Sequence, residues 1–192
     1  MIRGVYLKFL GAICAIFILL IGGCGTPQQT THTTSTTPPE LDFSVGSYAS
    51  VNTYSNSITI AYTVQGDTIA IGLKARTTGW VAIALGNAHG DSDVIMGWVA
   101  NGQVTINDTN RASKAGLHQL DVDTGGTNDV NVFGGSEING ITTLEFTRKL
   151  VTGDTQDLPF LKGNNTITWA IGPTDAITSH HSEIGFATIT IP

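Results

Sequence analysis

Between Leu41 and Pro192 no window of helical length keeps an apolar period of 3.6 residues; the apolar residues fall into short runs separated by turns. Ile58, Ile60 and Tyr62 alternate with small or polar neighbours, as do Ile69, Ile71 and Leu73. That is the pattern of strands with one buried face. Turn signals at Gln65-Gly66-Asp67, Asn101-Gly102 and Asn139-Gly140 punctuate the runs. The strands expected are 57–64, 68–75, 80–85, 94–99, 103–107, 116–122, 141–148, 166–171 and 185–191. Nine or more strands in about 150 residues predict an all-β fold, an immunoglobulin-like antiparallel sandwich. Such a body is large enough to enclose a core and one cofactor pocket.

The first 40 residues are of another kind. Residues 1–24 carry Arg3 and Lys8, then an apolar run from Phe9 to Ile21, then Gly22-Gly23-Cys24. This is a signal segment whose ending resembles a lipobox, with Cys24 the expected site of lipidation and an uncleaved N-terminal peptide anchor the alternative. Residues 25–40 open with GTPQQTTHTTSTTPP, which has no aliphatic side chain to bury and predicts an extended Thr/Pro-rich tether. The domain of residues 41–192 is therefore expected outside the cytoplasm, at the cell surface or on the periplasmic side, tied to a membrane. Only 12% of the residues are charged, as in an extracellular β-protein. The net charge is −6 with no basic cluster, which argues against a nucleic-acid partner. Both cysteines, Cys14 and Cys24, precede the domain, so its body holds neither a disulfide nor a thiolate metal site.

The stretch Gly79–Val99, GWVAIALGNAHGDSDVIMGWV, reads as two apolar strands joined by a polar loop carrying His89, one of five histidines. Met96 is the one methionine beyond the start, and it sits within an apolar run where methionine is routinely a core filler.

GWVAIALG, the HGDSD loop, VIMGWV with NGQVTINDT, then FTRKLVTGDTQD, a strand ending in Ala170-Ile171-Gly172 and a closing SHHSEIGFATITI follow one another in order. This series resembles the DOMON domain family over roughly residues 42–192. The family includes the cytochrome domain of cellobiose dehydrogenase and the N-terminal domain of dopamine β-hydroxylase. The resemblance implies a sandwich that, in many members, binds haem b. With no CxxCH in the chain, the haem would be held non-covalently. In those members one axial ligand is commonly a Met in the loop after the GW strand, four residues before an acidic or amide residue. Here that position is His89, four before Asp93, a departure from the pattern that leaves Met96 as the competing ligand. The second ligand falls on His180 or His181, with His181 favoured for its spacing of four from Gly185. Two imidazoles closing both axial positions imply electron transfer with a redox partner protein, any catalysis belonging to that partner.

Trp80, Trp98 and Trp169 could line a haem face, though core packing is the default for a strand tryptophan. His118, between two leucines, reads as an ordinary strand residue. Arg148 is expected to pair with Asp154 or Asp157, a haem-propionate contact being the sharper alternative. Asp91 and Asp93 could shape the His89 loop, or Asp93 could support a ligand imidazole. Asp121 and Asp123 are expected to be solvated. No nucleophile elbow, HExxH or phosphate-binding loop is present. The competing function is a carbohydrate- or ligand-binding sandwich without haem, its tryptophans offering stacking surfaces.

Overall fold

The computed structural model describes residues 48–86, 91–111 and 117–192. They form two antiparallel sheets, and the core lies between them. The first sheet is built from β1 (Ser50–Tyr54), β2 (Ile58–Gln65), β3 (Thr68–Ala75), β8 (Asn131–Ile138) and β9 (Ile141–Lys149), in the order β1-β2-β3-β9-β8. The second contains β4 (Val81–Gly86), β5 (Ser92–Ala100), β6 (Gln103–Arg111), β7 (Gln119–Leu120), β10 (Gly163–Ile171) and β11 (Glu183–Ile191), in the order β11-β10-β4-β5-β6-β7. The all-β sandwich expected from the alternation is the observed one.

Asn101-Gly102 and Asn139-Gly140 take positive φ at both positions, which gives two-residue hairpins a twist matching that of their strands. Two strands, β1 and β8, were not anticipated, and they are the two edges of the five-stranded sheet. Edge strands lack a neighbour on one side, and the polar β1 (SVNTY) and glycine-bearing β8 (NVFGGSEI) carry no apolar alternation to reveal them. The strand expected at 116–122 shrinks to β7, followed by a 3-10 turn at Asp121–Asp123.

Ile69, Ile71 and Leu73 of β3 and Leu144 and Phe146 of β9 meet Val81, Ile83 and Leu85 of β4 and Ile167, Trp169 and Ile171 of β10. β4 and β5 are central and buried on both faces, which is why they read as continuous apolar runs. On β5 the odd-numbered Ile95 and Val99 join the inter-sheet core. The even-numbered Val94 and Met96 form a second buried cluster with Trp80 and Ala82 on the outer face of the same sheet.

Candidate cofactor site

That outer face carries a cavity of about 340 Å³, toward the small end of the roughly 300–1,000 Å³ typical of ligand sites. Ala82 and Ala84 of β4, Val94 and Met96 of β5, and Ala170 of β10 line it. Three alanines on adjacent strands leave the sheet surface low and flat. The connection from β10 to β11 borders the cavity with Ile177, Ser179, His180 and His181. Arg111 and His118 line it as well.

Trp80 holds that connection in place. Its backbone exchanges hydrogen bonds with the segment, Trp80 N donating to the Thr174 carbonyl at 3.1 Å and Gly172 N to the Trp80 carbonyl at 2.8 Å. Its indole N–H donates to the Ser179 hydroxyl at 2.8 Å, one residue before the histidine pair. Gly172 has to be glycine for this approach, since a Cβ there would stand 2.2 Å from the Trp80 ring. Ser182 N closes the connection on the Ile171 carbonyl at 2.7 Å.

Both His180 and His181 are exposed and border the same cavity, so the structure brings the pair to the site without choosing between them. Met96 is fully buried in its lining. His89 lies outside the described residues, in the 87–90 segment between β4 and β5; Ser92, shortly after that segment, lines the cavity. Trp98 shares the outer face, half-buried against the Met96 cluster, and does not line the cavity; the tryptophan that does is Trp80. Trp169 points the other way, into the inter-sheet core.

His118, expected on a strand, lies just outside β7. Its Nδ1 is buried and makes no hydrogen bond with any described residue, and burial together with the nearby Arg111 charge pulls its pKa down, favouring neutral imidazole. The sequence offered little signal for it, because it lies just before the two-residue β7 and its role depends on where that segment crosses β6.

The expected pairing of Arg148 with Asp157 is present, and Asp93 joins it. Arg148 is buried on the inward face of β9, where Nη1 meets Asp93 Oδ2 at 2.7 Å and Nη2 lies 3.4 Å from Asp157 Oδ2. It faces the inter-sheet core and does not line the cavity. Asp154 instead accepts from Gln156 N in its own loop and from Thr127 N in the segment before β8. Asp93, one residue from Val94 on β5, faces inward and accepts from Leu158 N at 2.9 Å, away from the cavity. Asp121 is buried rather than solvated, and burial raises its pKa to about 6 and that of Asp108 to about 7.

The DOMON domain profile matches residues 54–172. The chain belongs to the DOMON domain family. The match ends at Gly172, so the histidine pair of this DOMON domain lies beyond the matched stretch. Among solved structures, the cytochrome b domain of pyranose dehydrogenase from Coprinopsis cinerea is similar with a TM-score of 0.53 at 17% identity, over 72% of this chain and 80% of that one. The cytochrome domain of Myriococcum thermophilum cellobiose dehydrogenase gives 0.48 at 14% identity, over 70% and 75%. At these identities the likeness concerns the fold. No curated protein matches the chain.

The cavity's own chemistry fits a haem. It offers a floor of small apolar side chains, two exposed imidazoles on one border, a buried thioether, and in His118 a buried ring nitrogen without a partner among the described residues. Imidazole and thioether are both ligands that haem iron accepts.

Proposed function

We propose that this DOMON domain is a non-covalent b-type haem domain that transfers electrons between a redox partner protein and another carrier. The observation that carries the reading is the His180-His181 pair at the border of a flat apolar cavity, on a domain of this family. His89 and His181 are the proposed axial ligands, with His180 the substitute for the latter. The placement of Met96 in the lining supports a second assignment, in which its thioether replaces the His89 imidazole. When bound, the haem supplies a one-electron couple, and thioether ligation holds its reduction potential higher than imidazole does.

The chain's own residues have three tasks in this reading. Ala82, Ala84 and Ala170 exclude water from one face of the ligand. Trp80, through Ser179, fixes the segment that presents the imidazoles. The apolar surround lowers the local dielectric. Cys24 as lipid attachment and residues 25–40 as tether would keep the domain at the outer side of a membrane, near its partner.

Titrating the purified protein with haemin tests the proposal. The expected result is a Soret band with sharp α and β bands on reduction, abolished by His89→Ala or by His181→Ala with His180→Ala. An unchanged low-spin spectrum in His89→Ala rejects His89 as a ligand. Protein that stays colourless under haem yet binds polysaccharide supports the sugar-binding alternative. Trp80 and Trp169 are buried, however, and are not available as stacking surfaces.

A further inference from the structure

At one end of the inter-sheet core the interior turns acidic. Asp93 of β5, Asp108 of β6, Asp121 at the 3-10 turn and Asp157 before Leu158 are all at least nine-tenths buried. Arg148 is the one basic side chain buried with them among the described residues. Three of these carboxylates share one arrangement, in which one oxygen is tethered and the other left bare. Asp93 Oδ2 accepts from Arg148 Nη1 and Leu158 N, while Oδ1 accepts from no described residue. Asp108 Oδ2 accepts from Asp129 N at 2.8 Å, and its Oδ1 is bare. Asp121 Oδ1 accepts from Asn110 Nδ2 at 2.9 Å, and its Oδ2 is bare. Asp157 accepts no hydrogen bond at either oxygen; Arg148 Nη2, 3.4 Å from Oδ2, is its ionic partner.

Asp93, Asp108 and Asp157 each offer an oxygen, and these lie within 4.8 Å of one another. Burying a bare carboxylate oxygen is costly, and Arg148 leaves most of this charge uncompensated. A proton shared between two carboxylates settles two of the five bare oxygens. A hard cation would draw on one oxygen from each of Asp93, Asp108 and Asp157 at once. Calcium binds six to eight oxygens at about 2.3–2.6 Å, so opposite ligand atoms stand roughly 5 Å apart. Magnesium, at about 2.0–2.1 Å, requires a tighter set.

We infer that Asp93, Asp108 and Asp157, with Asp121 beside them, form a calcium site that ties β5 and β6 to the 150–158 loop. The site lies on the inward side of the second sheet, facing away from the cofactor cavity. It stands or falls independently of haem.

The test uses the full chain without haem, stripped with chelator and returned to chelator-free buffer at neutral pH. Calcium chloride titrated by calorimetry is expected to give a saturable single-site heat. Calcium at about a hundredfold excess over Kd is expected to raise Tm by roughly 5–10 °C. Asp108→Asn keeps the acceptor for Asp129 N and should weaken calcium binding at least about tenfold, and Asp121→Asn provides the same test should that variant fail to fold. Asp123→Asn, exposed on the same turn, should bind calcium like the parent. The inference is overturned by the absence of heat and Tm change up to about 5 mM calcium, beyond the range of most extracellular modules. It is also overturned by a response to magnesium alone, or by undiminished calcium binding in both Asp→Asn cluster variants.

Discussion

The indole N–H of Trp80 donates to the hydroxyl of Ser179 at 2.8 Å, across 99 residues of sequence. The bond joins the start of β4 to the residue before His180, so the floor of the cavity and its histidine border are positioned together. A single hydrogen bond of this kind contributes about 0.5–1.5 kcal/mol net. Its larger consequence is that the imidazoles cannot drift from the sheet without breaking it.

Trp80→Phe keeps the ring but loses the donor and some volume. Thermal melting should show a loss of about 1–3 kcal/mol. Haemin titration should show weaker affinity with an unchanged low-spin spectrum, because no proposed ligand is altered. A variant that binds haem as tightly as the parent argues that Ser179 does not position the histidine segment.

Met96 separates packing from ligation. Met96→Leu conserves volume and should cost less than about 1.5 kcal/mol, whereas Met96→Ala should cost about 2–5 kcal/mol in urea unfolding. If His89 is the ligand, the spectrum of Met96→Leu stays low-spin. Conversion to a high-spin spectrum in that variant transfers the assignment to the thioether.

His118 predicts a pH effect on stability. Its folded pKa lies below the ordinary histidine value because of burial and the Arg111 charge. Below about pH 6.5 the unfolded chain therefore binds a proton that the folded one resists. The stability this group contributes is complete above that pH and is lost as pH falls through the lowered folded pKa. His118→Gln should flatten this part of the stability profile, read from urea midpoints between about pH 5 and 7.5. An identical slope in parent and variant counts against the assignment.

Arg148→Ala should be among the most damaging single changes. It strips Asp93 and Asp157 of their cation and leaves buried charge behind, a loss of about 3–5 kcal/mol measurable by urea denaturation. Arg148→Met fills more of the space but leaves the same charges, so it should rescue little. A variant of near-parental stability shows that the carboxylates find compensation elsewhere.

Much of the sandwich was legible in the chain because side-chain alternation is a local property. Ile69-Ile71-Leu73 needs no knowledge of its neighbours to declare a buried face, and Asn101-Gly102 none to declare a tight hairpin. The edge strands β1 and β8 escaped because half of their environment is solvent and their residues record no core. Val104, Ile106 and Asp108 share a face on β6, so an inward carboxylate was implied once Ile106 was placed in the core.

The sequence by itself determined the all-β class, the hairpin turns, the apolar character of Trp80–Leu85 and Val94–Val99, and the presence of histidines at the two ends of the family pattern. Only the tertiary structure decided which way those apolar strands face. A strand buried on both sides is apolar at nearly every position, so nothing local distinguishes Met96, turned to the cavity, from Ile95, turned to the core. Asp93 and Met96 stand three residues apart and therefore point to opposite sides of one sheet, one to a buried ion pair and the other to the cofactor cavity. The partners that fix those fates, Arg148 for the first and the 172–182 connection for the second, lie more than fifty residues away, and only folding brings Arg148 to Asp93 and the connection to the border of the cavity that Met96 lines.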